Sequence, residues 1–190
     1  MEVYVIRHTE VAIATGICYG QSDVGLKDTF KDEIEKLKVH LPNSFDKVYS
    51  SPLLRCSQLA QEFTDSIVFD DRLKEMDFGE WEMQFWDKIP LEAIQPWYDD
   101  FVFCSTPKGE SFEQVYQRLC VFFEELRQAD HEKILVVTHG GIIRSIWCYL
   151  LQIPLQNAFK ISVNFGEVFH FHLGKESSED IIELGAKIGK

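Results

Sequence analysis

Two histidines and two arginines in the sequence have side chains that could bind and transfer a phosphate group. Arg7 and His8 stand side by side near the N-terminus. Arg55 follows a run of serines and leucines, and His139 precedes Gly140. Guanidinium forks match phosphate or carboxylate oxygens, and a neutral imidazole can act as nucleophile, base or stabilising group. Because nearby positive charge disfavours imidazolium, we expect both histidines to be uncharged near neutral pH. Gly140 lets the backbone approach a ligand. This set favours phosphoryl transfer to a histidine.

A leaving alkoxide needs a proton, and one acidic segment offers candidate donors. The stretch "LKEMDFGEWE" (73–82) contains Glu75, Asp77, Glu80 and Glu82. Other phosphate chemistries lack their signatures, since no cysteine is followed by arginine six residues later and no GxxxxGK[ST] or HExxH motif occurs. The carboxylates show no evident spacing for a two-metal site. We therefore expect no metal and no other cofactor.

Alternating strands and helices must position these groups. Apolar patterns predict strands at 3–8, 45–51, 66–71, 133–141 and 167–173, and helices near 30–41, 53–63, 111–128 and 142–150. Such alternation is typical of a three-layer α/β/α sandwich around a mostly parallel sheet. Ligand sites in these sheets collect beyond the carboxyl ends of the strands. We expect Arg7, His8, Arg55 and His139 to meet at that edge.

Length and charge indicate the class of protein. The 190 residues fit one domain, 1–190, with an irregular, cap-like segment at about 72–109. A net charge of −12 argues against nucleic acid and anionic membranes as partners. No apolar run approaches the length of a membrane span and no secretory signal is evident, so we expect a cytoplasmic protein. The five scattered cysteines are consistent with reduced thiols.

Five motifs in a fixed order resemble the histidine phosphatase superfamily, the phosphoglycerate-mutase-like group. They are "VIRHTE", "SSPLLRCSQLA", "EMDFGEWE", "KGES" and "VVTHGG". The resemblance implies the phosphoglycerate-mutase-like α/β/α fold and a phosphohistidine intermediate at His8. It also implies that Arg7, Arg55 and His139 hold the phosphate. Glu75 resembles the residue that protonates the leaving group and later activates water.

Two positions depart from the family pattern. Thr9 stands where a glycine usually follows the histidine, and Ala14 stands where an asparagine commonly contacts the phosphate. The pocket of two arginines and two histidines is intact, but the neighbouring polar contact is missing. Gln21 or Ser22, in "CYGQSDV", could supply that contact instead.

The loop "GICYGQSDV" and the RHT triplet are similar to the alpha-ribazole phosphatase branch of the superfamily. Enzymes of that branch remove the 5′-phosphate from alpha-ribazole phosphate or from cobalamin phosphate. The short chain agrees with this branch, so we expect a small-molecule phosphate ester as substrate. A phosphoglycerate mutase or a broad sugar-phosphate phosphatase is the alternative. A non-catalytic phospho-ligand binder is a further alternative, against which the presence of both His8 and Glu75 argues.

Two other patterns allow more than one interpretation. His170 and His172 could form a metal-binding pair, but they fit better as outward residues of an edge strand whose Phe169, Phe171 and Leu173 face inward. Aromatic residues are dense within 72–109 and suggest a small hydrophobic cluster, or else a cap over an aromatic substrate. They are Trp81, Phe85, Trp86, Trp97, Tyr98 and Phe101.

Overall fold

The computed structural model describes residues 1–183. The strands within these residues form a single six-stranded sheet. The strands are β1 (Glu2–Arg7), β2 (Lys47–Ser50), β3 (Ile67–Phe69), β4 (Lys133–Thr138), β5 (Val168–His172) and β6 (Ile181–Glu183). Their order in the sheet is β3-β2-β4-β1-β5-β6. The first four run parallel, and β5 and β6 are antiparallel to their neighbours. The predicted mostly parallel sheet is confirmed.

Within residues 1–183, five α-helices cover the two faces of this sheet. They are α1 (Phe30–Lys38), α2 (Leu54–Gln61), α3 (Leu91–Asp99), α4 (Phe112–Arg127) and α5 (Gly140–Leu151). Buried residues of α3, α4 and α5 pack with Val3, Val5 and Val136 on one face. Residues of α1 and α2 pack with Ile6 and Val137 on the other. The predicted three-layer sandwich is therefore confirmed. Because β4 is buried on both faces of the sheet, its sequence is a continuous apolar run.

The segment 72–109 is more regular than we expected. Leu91–Asp99 form α3, so the expectation of an irregular segment is wrong there. The sequence did not predict this helix because Pro96 lies inside it, and proline lacks the N–H that a helix interior needs. Burial of Ile94 and Trp97, one helical turn apart, outweighs that loss.

The aromatic residues of this segment lie mostly in the core. Trp81 and Trp97 are buried, and Trp86 and Phe101 pack against the same cluster. Phe85 and Tyr98 are exposed instead. The interpretation of these rings as a hydrophobic cluster is confirmed for four of the six residues.

The strand β5 differs from prediction at its outer side. β6 pairs with it through His170 and Glu183, so β5 is not an edge strand. β6 was missed because it has only three residues and follows a polar, acidic stretch typical of a loop. Phe171 and Leu173 are buried as predicted, whereas His172 is exposed.

The start of α4 agrees with its sequence signal. The Ser111 hydroxyl oxygen accepts a hydrogen bond from the Gln114 amide, and the Gln114 side-chain oxygen accepts one from the Ser111 amide, which is the capping box predicted there. α5 begins at Gly140, earlier than expected.

None of the helices within residues 1–183 has the length and apolar character needed to cross a membrane. Residues 184–190, the end of the expected domain 1–190, lie outside the described residues.

Candidate active site

Three adjacent strands bring the predicted residues to one edge of the sheet. Arg7 is the last residue of β1 and His8 follows it, and His139 follows β4. Arg55 lies in the first turn of α2, which follows β2. Because the order β2-β4-β1 places these strand ends about 4.8 Å apart, the side chains converge. The rings of His8 and His139 are 5.2 Å apart, centroid to centroid.

His8 is held as a neutral ring with one defined tautomer. Its side chain is buried, and Nδ1 lies 2.8 Å from the carbonyl oxygen of Thr9. A carbonyl can only accept, so Nδ1 carries the proton and Nε2 has a free electron pair. Burial, and then the charge of Arg55, lowers the pKa of His8 well below its ordinary value of 6.5. The ring is therefore a competent nucleophile at neutral pH.

His139 is neutral for the same reasons. It is fully buried, and its Nε2 is hydrogen-bonded to Oγ of Ser51 at 2.7 Å. Burial lowers the pKa of His139 well below 6.5, and the charge of Arg55 lowers it further. Two neutral imidazoles thus lie beside two guanidinium groups, as the sequence predicted.

Backbone carbonyls orient both arginines. Arg55 donates from Nη1 to the carbonyl of Ser22 (2.9 Å) and from Nη2 to that of Gly20 (2.6 Å). Arg7 donates from Nη1 to the carbonyl of Val163 at 2.7 Å. The Nε atoms of Arg7 and Arg55 are buried and have no acceptor among residues 1–183. Fixed guanidinium groups with unused donors are suited to an anion.

Glu75 reaches this edge from the segment after β3. Its carboxylate accepts hydrogen bonds from the Gly141 amide, at 3.1 and 3.2 Å, and from the Met76 amide at 3.1 Å. Its backbone carbonyl accepts from Arg118 and from the Gln21 side chain, both at 3.0 Å. The side chain of Glu75 is therefore fixed at the first turn of α5, and its main chain is fixed by Arg118 and Gln21.

Gln21 and Ser22 lie beside the site, but much of their hydrogen bonding serves the loop itself. Gln21 donates its side-chain amide to Glu75, as noted above, and Ser22 donates its hydroxyl to Glu82. The backbone amides of Gln21 and Ser22 also donate to Glu82, at 2.7 and 2.6 Å. Glu82, a candidate proton donor in the sequence, therefore anchors the loop.

Several residues at the site were not singled out from the sequence. Ser51 forms a hydrogen bond with His139, and Gly141 and Arg118 fix Glu75. The ring centroid of Tyr19 lies 5.1 Å from the guanidinium carbon of Arg55. The ring centroid of Phe165 lies 3.8 Å from the guanidinium carbon of Arg7. Ser51 and Gly141 fall inside the motifs "SSPLLR" and "THGG", which could have pointed to them. The others make contacts only through the tertiary fold.

The possible metal pair on β5 is engaged with other groups. His170 stacks on Tyr4 at 4.1 Å, and its Nδ1 lies 3.1 Å from a carboxylate oxygen of Glu183. Within residues 1–183 no three His, Cys, Asp or Glu side chains are grouped as a metal site would need.

The fold and the geometry of its strand ends define an enzyme of the phosphoryl-transfer class. Uncharged imidazole, paired guanidinium groups and an anchored carboxylate meet where α/β sheets bind their ligands. The chain belongs to the histidine phosphatase superfamily (branch 1), whose family model matches residues 3–179. It is a phosphatase, and the resemblance inferred from the five motifs is confirmed.

Comparison with known proteins finds relatives with two different named substrates. Phosphoserine phosphatase 1 of Hydrogenobacter thermophilus is 28% identical over 195 residues, covering 97% of this chain and 92% of the relative. Adenosylcobalamin/alpha-ribazole phosphatase of Escherichia coli is 28% identical over 181 residues, covering 87% of each chain. The crystal structure of the alpha-ribazole phosphatase from Shigella flexneri superposes on this chain with a TM-score of 0.88 at 24% sequence identity. The match covers 97% of this chain and 95% of that one, and at this identity it supports the fold alone.

Proposed function

We propose that the chain hydrolyses a phosphate monoester through a phosphohistidine at His8. The observation that carries this proposal is the hydrogen bond from Nδ1 of His8 to the Thr9 carbonyl, which leaves the electron pair of Nε2 for attack. In the first step Nε2 forms a bond to phosphorus and the ester P–O bond breaks. Arg7, Arg55 and His139 hold the phosphoryl oxygens, whose charge they stabilise in the transition state.

Glu75 moves the proton in both steps. It first donates a proton to the departing ester oxygen. In the second step water attacks phosphorus and gives its proton to the Glu75 carboxylate, while the Nε2–P bond breaks and the electron pair returns to nitrogen. The anchoring of this carboxylate by the Gly141 amide supports the assignment, because proton transfer requires a fixed position. No step uses a metal.

The substrate that we propose is alpha-ribazole 5′-phosphate, a cobalamin precursor. The loop "GICYGQSDV" and the RHT triplet favour it, and so do relatives named alpha-ribazole phosphatase. Phosphoserine is the strongest competitor, since relatives named for it cover almost the whole chain.

A substrate comparison tests this proposal. We expect kcat/KM for alpha-ribazole 5′-phosphate to exceed that for phosphoserine, 3-phosphoglycerate and ribose 5-phosphate, with activity unchanged by a chelator. His8→Ala should abolish turnover while the folded protein still binds inorganic phosphate. A higher kcat/KM for phosphoserine would show that phosphoserine, and not alpha-ribazole 5′-phosphate, is the preferred substrate. Activity that is lost with a chelator and restored by a metal would overturn the mechanism.

Gln21 is our candidate for the polar contact to phosphate that Ala14 cannot make. Ser22, the other residue expected from the sequence, donates both its hydroxyl and its amide to Glu82 and has no donor left for a phosphate. The Gln21 amide nitrogen has a second hydrogen besides the one given to Glu75. We expect Gln21→Ala to raise KM. If kcat and KM both stay unchanged, Gln21 makes no such contact.

A further inference from the structure

The loop between α5 and β5 carries an aromatic ring to the active site. The Gly166 amide donates to the carbonyls of Arg7 and His8, both at 3.2 Å, and the Arg7 amide donates to the Glu167 carbonyl at 3.2 Å. The Arg7 side chain also bonds the Val163 carbonyl. Through these contacts the backbone on both sides of Phe165 is fixed to the end of β1, next to His8.

Phe165 borders the phosphate-binding groups and also faces solvent. Its ring centroid is 3.8 Å from the guanidinium carbon of Arg7 and 5.5 Å from the His8 ring. The residue is still 38% exposed. An apolar ring is thus presented next to the most polar part of the molecule, where a bound leaving group would lie.

Tyr19 provides a second ring at the same place. Its centroid is 5.1 Å from the guanidinium carbon of Arg55, and the residue is partly exposed. Burial raises the pKa of its hydroxyl, whereas the charges of Arg7 and Arg55 lower it and that of Glu75 raises it. The phenol therefore lies among the groups that we assign to phosphate binding and to protonation of the leaving group.

We propose that Phe165 and Tyr19 form a leaving-group subsite for a planar aromatic group. Each ring is already held against a guanidinium group, so little side-chain entropy is lost when a ligand stacks on it. Aromatic side chains favour offset-stacked or edge-to-face aromatic partners. The inference rests on the proposed phosphatase mechanism and deepens it. The preferred substrates carry a planar aromatic group in the leaving alcohol, as alpha-ribazole 5′-phosphate does in its base.

Two esters of equal size isolate the effect of aromaticity. Benzyl phosphate and cyclohexylmethyl phosphate both have a primary alkyl leaving group, and only benzyl phosphate presents a π-face. We expect wild-type kcat/KM to favour benzyl phosphate about two- to tenfold, the range for aromatic pairs. Phe165→Leu and Tyr19→Leu should each reduce that ratio, whereas Tyr19→Phe, which keeps the ring, should preserve it.

Phe69→Leu is the matched control. Phe69 is 50% exposed at the end of β3, three strands from β1 or about 14 Å along the sheet. We expect it to leave the ratio unchanged. The urea midpoint of every variant establishes that it is folded, and if one leucine variant does not fold, the other decides.

The outcomes separate this inference from the proposed function. A wild-type enzyme that does not distinguish the two esters overturns the subsite, even if it hydrolyses alpha-ribazole 5′-phosphate. Equal losses on both esters in the leucine variants also overturn it, because the rings would then serve only to position the arginines. Conversely, a clear preference for benzyl phosphate in an enzyme that prefers phosphoserine supports the subsite and rejects the ribazole substrate.

Discussion

A glycine determines where the carboxylate of Glu75, our proposed proton carrier, lies. The Gly141 amide binds the Glu75 carboxylate, and a Cβ built on Gly141 would be 2.3 Å from Oε1 of Glu75. No side chain fits there without moving that carboxylate. At Gly141 the close approach favours glycine, since the backbone of α5 must touch a side chain from another segment.

Gly141→Ala should therefore impair protonation of the leaving group. We expect kcat for an alkyl phosphate to fall on the order of 10²-fold, the lower range for general acid catalysis, with a much smaller fall for 4-nitrophenyl phosphate. Steady-state kinetics with both esters measure this. Gly25→Ala is the control, because nothing lies within 4 Å of its added Cβ. Equal falls on both esters would contradict the explanation.

Glu75→Gln should also lower kcat more for alkyl than for aryl esters. This substitution removes the transferable proton but leaves the geometry of the site in place. The glutamine can still accept from the Gly141 amide, so the fold is expected to persist. An alkyl leaving group needs a proton much more than an aryl one, so we expect a loss of at least about 10²-fold on alkyl esters and less on aryl esters. Comparison of kcat for the two ester classes measures it, and an unchanged alkyl-to-aryl ratio would reject Glu75 as the acid.

At the scale of elements, one carboxylate supports the loop that orients Arg55. Glu82 accepts from the amides of Gln21, Ser22 and Phe78, and from the Ser22 hydroxyl. The carbonyls of the same loop hold the Arg55 guanidinium. We therefore expect Glu82 to act on phosphate binding through this loop rather than by transferring a proton.

Glu82→Gln should consequently weaken binding and stability. Hydrogen bonds to a charged group contribute about 1.5–3 kcal/mol each, so we expect the free energy of unfolding to fall by about 3 kcal/mol. KM should rise more than kcat falls, because Arg55 loses its fixed orientation. Urea denaturation and kinetics on alkyl and aryl esters measure both effects. A loss confined to alkyl esters would instead transfer the acid role to Glu82.

The predictability of each element depended on how local its signal was. Arg7, His8 and His139 could be placed because each follows an apolar run that reads as a buried strand. α3 could not be predicted, since Pro96 disfavours a helix locally and only tertiary burial stabilises it. The contact of Phe165 with Arg7 joins segments far apart in the chain, and no local pattern encodes it.

At the scale of the whole molecule, the buried histidines make stability depend on pH. In the folded state the pKa values of His8 and His139 lie well below 6.5, whereas in the unfolded chain they are near 6.5. Below pH 6.5 the unfolded state therefore binds more protons. The free energy of unfolding falls as the pH falls, by up to about 1.4 kcal/mol per pH unit for each histidine.

Urea denaturation at pH 7.5 and pH 5.5 tests this dependence. We expect a lower free energy of unfolding at pH 5.5, and we expect His8→Gln to reduce the difference between the two pH values by about 1–1.5 kcal/mol. His40→Gln is the control, because His40 is exposed. If His8→Gln and His40→Gln behave alike, burial does not suppress protonation of His8.

The place of β1 in the sheet has a consequence for folding. Glu2 lies opposite Lys133 of β4 on one side and His172 of β5 on the other. The strand that precedes His8 is thus held by two strands that are distant from it in the sequence. Pairings of such long sequence separation form slowly. We therefore expect the sheet edge that holds Arg7, His8 and His139 to form late in refolding, after the local helices.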